Sequence, residues 1–138
     1  MSMEGGFAMS KVALIPSILT SVKKNLGIPK EITAFDPDII LHINSVFAKL
    51  SQLGVGPSET FMIEDDYAEW DDFDTNADLN LVRSYMFLEV RMLFDPPTAS
   101  VLTSMEKKIA EYEWRLNVAG DELTDRTNQN GTTDSDDV

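Results

Sequence analysis

Asp72, Asp74, Asn76 and Asp78 fall at alternate positions of the run D-F-D-T-N-A-D, the spacing at which the first four ligands of an EF-hand loop hold calcium. The sixth position of such a loop needs glycine for its sharp turn and here is Ala77. The twelfth needs a bidentate glutamate and here is Arg83. Without that turn and that charge the run reads as a solvated acidic surface, with weak adventitious divalent binding the most it offers, and no metal site is expected. The single histidine, His42, lies between Leu41 and Ile43 in a stretch of helical period, where a boundary histidine is the ordinary reading and a catalytic base the exceptional one. There is no cysteine, and no G-x-S-x-G, G-x-x-x-x-G-K-[ST] or G-x-G-x-x-G occurs. Carboxylates are abundant, yet nothing in the pattern marks two of them as desolvated or convergent. A protein without catalytic residues or cofactor is expected.

Three aromatics inside the acidic run are its distinctive feature. Tyr67, Trp70 and Phe73 recur at spacing three amid Glu64, Asp65, Asp66, Glu69, Asp71 and Asp72. Either they pin a long loop onto the body of the protein, as buried aromatics do, or they form an aromatic and acidic docking segment for a basic partner surface.

The elements around that loop read as helices. A first helix is predicted from about Pro16 to Asn25, with Ile15, Ile18, Leu19, Val22 and Leu26 on one stripe and Gly27 to stop it. A second begins at Asp36 as cap with Pro37 in the first turn, repeats Ile39, Ile43, Val46, Leu50 and Leu53 on one face widened by Ile40 and Phe47, and ends at Gly54. Residues 55–78 have no helical period; Phe61 to Ile63 could form an edge strand, and a loop of such length in a small chain is usually functional. A third helix runs from Asp78 to Phe94, with Thr75 or Asp78 as cap. Ten of its fourteen residues from Leu81 to Phe94 are apolar, so it is either central to the fold or shared between subunits. Thr98 or Ser100 caps a fourth helix to about Val118, whose Leu102, Met105, Ile109, Tyr112 and Leu116 make a helix-packing seam and whose Glu111 and Arg115 can pair.

With 138 residues the chain makes one ordinary domain. Its net charge of -13 is too anionic for general attraction to phosphate backbones. The charge is localised: residues 64–78 hold 8 acids and no base, residues 121–138 hold 6 acids and one base, and the rest of the chain is balanced. The expected organisation is a flexible leader over residues 1–10, a helical domain over 11–118 and an acidic tail over 119–138, too polar to offset its own ordering entropy and disordered when free. No signal peptide or membrane span is read.

Several segments together resemble one family, the head-tail connector or adaptor proteins of long-tailed bacteriophages, particularly those of Gram-positive hosts. The resemblance rests on L-G-I-P at 26–29, F-D-P-D-I-I-L-H-I-N-S-V-F at 35–47, Q-L-G-V-G-P at 52–57, W-D-D-F at 70–73, L-F-D-P-P-T-A-S-V-L at 93–102 and E-W-R-L-N at 113–117. It spans about residues 11–118 and is carried by order and spacing, not by a catalytic signature. It implies an all-α bundle of about four helices that forms a homo-oligomeric ring, usually of twelve copies. The ring sits beneath the portal vertex in the virion, joins the portal protein to a stopper or tail-completion protein, and lines a channel through which double-stranded DNA passes unbound; before assembly the chain would be in the host cytoplasm. On that basis Tyr67, Trp70, Phe73, Tyr85, Phe87, Arg91, Trp114 and Arg115 are candidates for oligomer or partner contacts, and Asp65, Asp66, Asp71 and Asp72 for the channel surface. The alternative from another class is a small cytosolic helical binding module, an acidic inhibitor or DNA mimic.

Overall fold

The computed structural model describes residues 16–136 apart from 74 and 76, with side chains described to residue 120. The leader over residues 1–10 lies outside the described residues. Four α-helices follow in order: α1 (Ile18–Asn25), α2 (Asp36–Gln52), α3 (Leu79–Phe94) and α4 (Ala99–Asp136), with a short 3-10 turn at Trp70–Asp72 in the long connection. No strand occurs among the described residues, so the fold is a small all-α bundle.

Local chemistry sets the helix ends. Ser17 caps α1, its Oγ accepting from the Thr20 N–H at 3.2 Å. At the other end, the Gly27 N–H donates to Lys24 O at 3.1 Å and the Ile28 N–H to Lys23 O at 2.8 Å, the paired bonds of a Schellman stop. Gly54 ends α2 in the same way, with its own N–H on Ser51 O at 3.0 Å and the Val55 N–H on Leu50 O at 2.9 Å. Both glycines sit in the left-handed region, at φ 79° and 80°. Asp78 caps α3 through its Oδ1, which accepts from Asn80 N at 3.0 Å, while Thr75 makes a separate turn with Ala77 N. Asp36 is not the cap of α2: Phe35 holds that position without a side-chain bond, and the Asp36 carboxylate instead pairs with Lys23 at 2.8 Å.

The core is the meeting of three amphipathic stripes around α3. Ile18, Leu19 and Val22 of α1, Ile39, Ile43, Val46, Phe47 and Leu50 of α2, and Ile109 and Leu116 of α4 surround Val82, Tyr85, Met86 and Val90 of α3. The apolar excess of α3 thus has an internal explanation. The helix is central, packed against α1, α2 and α4, and most of its remaining side chains are half-buried.

Two departures from the sequence pattern are physical in origin. Phe61 to Ile63 does not pair as a strand; the side chain of Asn44 on α2 takes the place of a neighbouring strand, binding the Ile63 N–H and carbonyl. The second is the length of α4, whose backbone continues to Asp136, well past Val118, where the apolar pattern ends. Gly120 does not break the helix because its missing side chain is used for contact. A Cβ there would meet the Leu53 carbonyl oxygen and lie 3.1 Å from Gly54 C and O. Once a helix is nucleated, each added residue costs little, so a polar segment can extend it.

Candidate functional site

The acidic connection is tied down by aromatic side chains, as one of the two readings requires, but not by all three. Trp70 is buried, its Nε1 donating to Ser21 Oγ at 2.9 Å. Its ring meets Phe87 edge to face at 6.1 Å. Phe73 is buried in a cluster with Phe47 and Phe61, at centroid distances of 5.0 and 5.5 Å. Its ring fills the space over Gly56, where a Cβ would stand 2.6 Å from the Phe73 ring. Tyr67 is 82% exposed. The backbone joins in through the Ile18 N–H, which donates to Ala68 O at 2.9 Å and so holds the segment against the start of α1.

This anchoring leaves the carboxylates outside. Glu64, Asp65, Asp66, Glu69, Asp71 and Asp72 are all exposed. Some also shape the backbone: Asp65 Oδ1 accepts from Tyr67 N at 3.0 Å, and Asp72 Oδ2 from Glu69 N at 2.8 Å. Asp72 and Asp78 therefore serve as caps at the two ends of the calcium-like run, while Asp74 and Asn76 lie outside the described residues. Among the described residues, no group of three acidic, histidine or cysteine side chains is placed to hold a metal ion. His42 is half-buried with its ring 6.4 Å from that of Phe94.

Three of the residues expected at an interface belong to the chain's own interior: Trp70, Phe73 and Tyr85. Tyr85 is fully buried and donates its hydroxyl to Glu113 Oε2 at 2.8 Å, bridging α3 to α4. Burial first, and then the Glu113 hydrogen bond and the charges of Glu89 and Glu113, push its phenol above the ordinary value. One turn on, buried Glu89 pairs with Lys49 of α2 at 2.9 Å. The other five expected residues remain accessible. Tyr67, Trp114 and Arg115 are exposed, Trp114 to 68%, and Phe87 and Arg91 are half-buried. The expected pairing of Glu111 with Arg115 does not form; the ion pairs among the described residues are Lys23–Asp36 and Lys49–Glu89.

Phe87 and Arg91 border an open groove of about 500 Å³ between α3 and α4. It is lined by apolar Leu88, Val101 and Met105 and by Tyr112, together with the basic Arg91 and Lys108. A smaller hollow of about 330 Å³ lies at the end of α1, lined in part by Lys24 and Lys30. No carboxylate lines either one among the described residues.

Lys23, Asn44 and Arg83 have structural roles that no pattern announced. Lys23 is only 2% exposed, yet its ammonium is satisfied by Lys30 O at 3.0 Å, Ile32 O at 2.6 Å and the Asp36 carboxylate. It thereby closes the connection between α1 and α2. Arg83 lays its guanidinium 5.6 Å from the Trp70 ring centre and 5.9 Å from that of Phe87, a cation–π contact with the loop's anchor. The sequence carries no local sign of these roles, because Lys30, Ile63 and Trp70, the partners that define them, lie beyond the neighbouring turn of helix.

A protein-family model described as "Phage connector protein" matches residues 18–123, which covers all of α1, α2 and α3 and most of α4. Comparison with curated proteins gives no match, and comparison with solved structures gives none.

Proposed function

This chain belongs to the phage connector protein family, and from that premise we propose that it is a structural part of the junction between the phage head and tail. Copies assemble into a ring beneath the portal, of twelve copies as in the proteins the chain resembles, and the ring receives the stopper or tail-completion protein on its other side. The family is a structural one, so the chain acts by contact and not by catalysis. Its site of action is the virion, reached from the host cytoplasm during assembly. No helix among the described residues is long and apolar enough to cross a membrane.

The observation that carries this reading is the extent of the family match, which takes in α1, α2, α3, most of α4 and the acidic connection. The surface chemistry supports it. Trp114 stands exposed on α4, and an apolar groove is open between α3 and α4; exposed aromatics and unfilled grooves are features of assembly surfaces. The carboxylates of Asp65, Asp66, Asp71 and Asp72 line the channel in this proposal, where like charge keeps DNA from sticking as it passes.

The test is to mix the protein with portal particles from the same phage and image the product. A ring seated on the portal is expected. Failure to bind that portal overturns the reading, and a stable monomer that competes with DNA for a basic enzyme would favour an acidic inhibitor instead. In the phage, replacing Asp65, Asp66, Asp71 and Asp72 with Lys is expected to lower the yield of infectious particles; normal particles would exclude the channel role.

A further inference from the structure

We propose that the groove between α3 and α4 is the socket for the acidic segment of a second copy of this chain, with Tyr67 as the side chain that enters it. The inference deepens the connector reading and rests on it in one respect, that copies meet one another.

The first observation is the charge of the two surfaces. The segment over residues 64–72 carries only acids, and its carboxylates are exposed while Trp70 holds it against α1 and α3 through Ser21 and Phe87. The groove, which begins beside Phe87, is lined by Arg91 and Lys108 with no carboxylate among the described residues, and the hollow at the end of α1 by Lys24 and Lys30. The acidic segment of one copy and the groove of another are therefore complementary in charge, whereas two acidic segments, or two grooves, would oppose like charges.

The second observation is a match of shape and polarity. Tyr67 is 82% exposed although its neighbours Trp70 and Phe73 are buried, so the loop's anchors are internal and its remaining aromatic is offered outward. The groove, about 500 Å³ and lined by Leu88, Val101 and Met105, has room for one aromatic ring, and Arg91 and Lys108 in the same lining supply charges for Asp65 and Asp66. An aromatic anchor surrounded by charged contacts is the usual composition of an energetically dominant patch. Because plug and socket are different surfaces, the contact is heterologous and repeats from copy to copy, closing into a ring or continuing as a filament.

The chain contains no cysteine, which makes disulfide trapping clean. One variant carries Tyr67→Cys and another Val101→Cys; each is prepared alone and in an equimolar mixture, with portal particles present, under a mild oxidant. The expected result is a covalent heterodimer in the mixture and a ladder of multimers from the double variant. Adding Arg91→Glu and Lys108→Glu to the socket copy should abolish the cross-link, and adding Asp65→Lys and Asp66→Lys to the plug copy should restore it. The docking is overturned, with the connector reading intact, if rings form on the portal but this pair does not cross-link. It is equally overturned if the double variant links only within one chain, or if Val101→Cys links to the portal protein. If no ring forms on the portal at all, the connector reading and the docking fall together.

Discussion

The side-chain amide of Asn44 makes both backbone hydrogen bonds of Ile63, its Nδ2 donating to the carbonyl at 3.0 Å and its Oδ1 accepting from the N–H at 2.8 Å. An extended segment is thereby held against a helix by one polar side chain, with the buried Ile63 side chain entering the core beside it. Asn44→Ala removes both bonds and leaves the two Ile63 groups unpaired. A loss of about 2 kcal/mol in urea unfolding is expected, on the ordinary value of about 1 kcal/mol for each bond. Asn44→Asp keeps the acceptor and loses the donor, so its cost should be set by the Ile63 carbonyl now facing a carboxylate. Limited proteolysis should find earlier cutting between residues 55 and 70 in the alanine variant.

Lys23 and Lys24 are adjacent on α1 and differ completely in environment. Lys23 is buried with three oxygen partners, and Lys24 is exposed. Lys23→Met strands the Asp36 carboxylate and two carbonyls and is expected to cost about 3 kcal/mol, at the lower end for breaking a buried ion pair. Lys24→Met should leave the urea midpoint unchanged. Equal effects of the two substitutions would show that the buried ammonium does not close the α1 to α2 connection.

Gly120→Ala reverses the usual sign of a helical substitution. In an exposed helix the change stabilises by about 1 kcal/mol. Here the new methyl meets the Leu53 carbonyl and the Gly54 backbone, and backbone yields less readily than a side chain. Net destabilisation of about 1 to 3 kcal/mol is expected from overpacking, read as a lowered melting temperature.

Tyr85 makes stability fall at alkaline pH. Its phenol value is raised in the folded state above the unfolded 10.0, so the native chain holds this proton more firmly than the unfolded chain does. The stabilisation is complete below pH 10 and is lost progressively as pH rises beyond it toward the folded value. Tyr85→Phe should cost about 1 kcal/mol at neutral pH through the lost bond to Glu113, and should flatten the alkaline decline. Urea unfolding at pH 8 and pH 11 compares the two.

The features that could be read from the chain are those whose causes lie within one or two turns. The stripe Ile39, Ile43, Val46 and Leu50 is fully buried, and Gly27 and Gly54 stop their helices, because periodicity and left-handed termination are local. The long-range arrangements were not readable in this way. Spacing three in Tyr67, Trp70 and Phe73 has no directional meaning outside a helix, so it could not separate the exposed ring from the two buried ones. Asp36 resembles a cap, but the nearby Lys23 offers its carboxylate a stronger partner. That Tyr85 lies in the interior is not legible locally, because Glu113, its partner, is 28 residues away. In each case a tertiary contact decided among options that were equally good locally.

The approach of Gly120 to Gly54 also has a mechanical consequence. Beyond that crossing, the α4 backbone continues for sixteen residues to Asp136, about 24 Å of helix at the standard rise. The two glycines act as a fulcrum, and the acidic extension as the long arm of a lever. A tilt of about 10° at the crossing would sweep the far end through about 4 Å over that length. A small adjustment at the end of α2 is thus amplified at the end of α4.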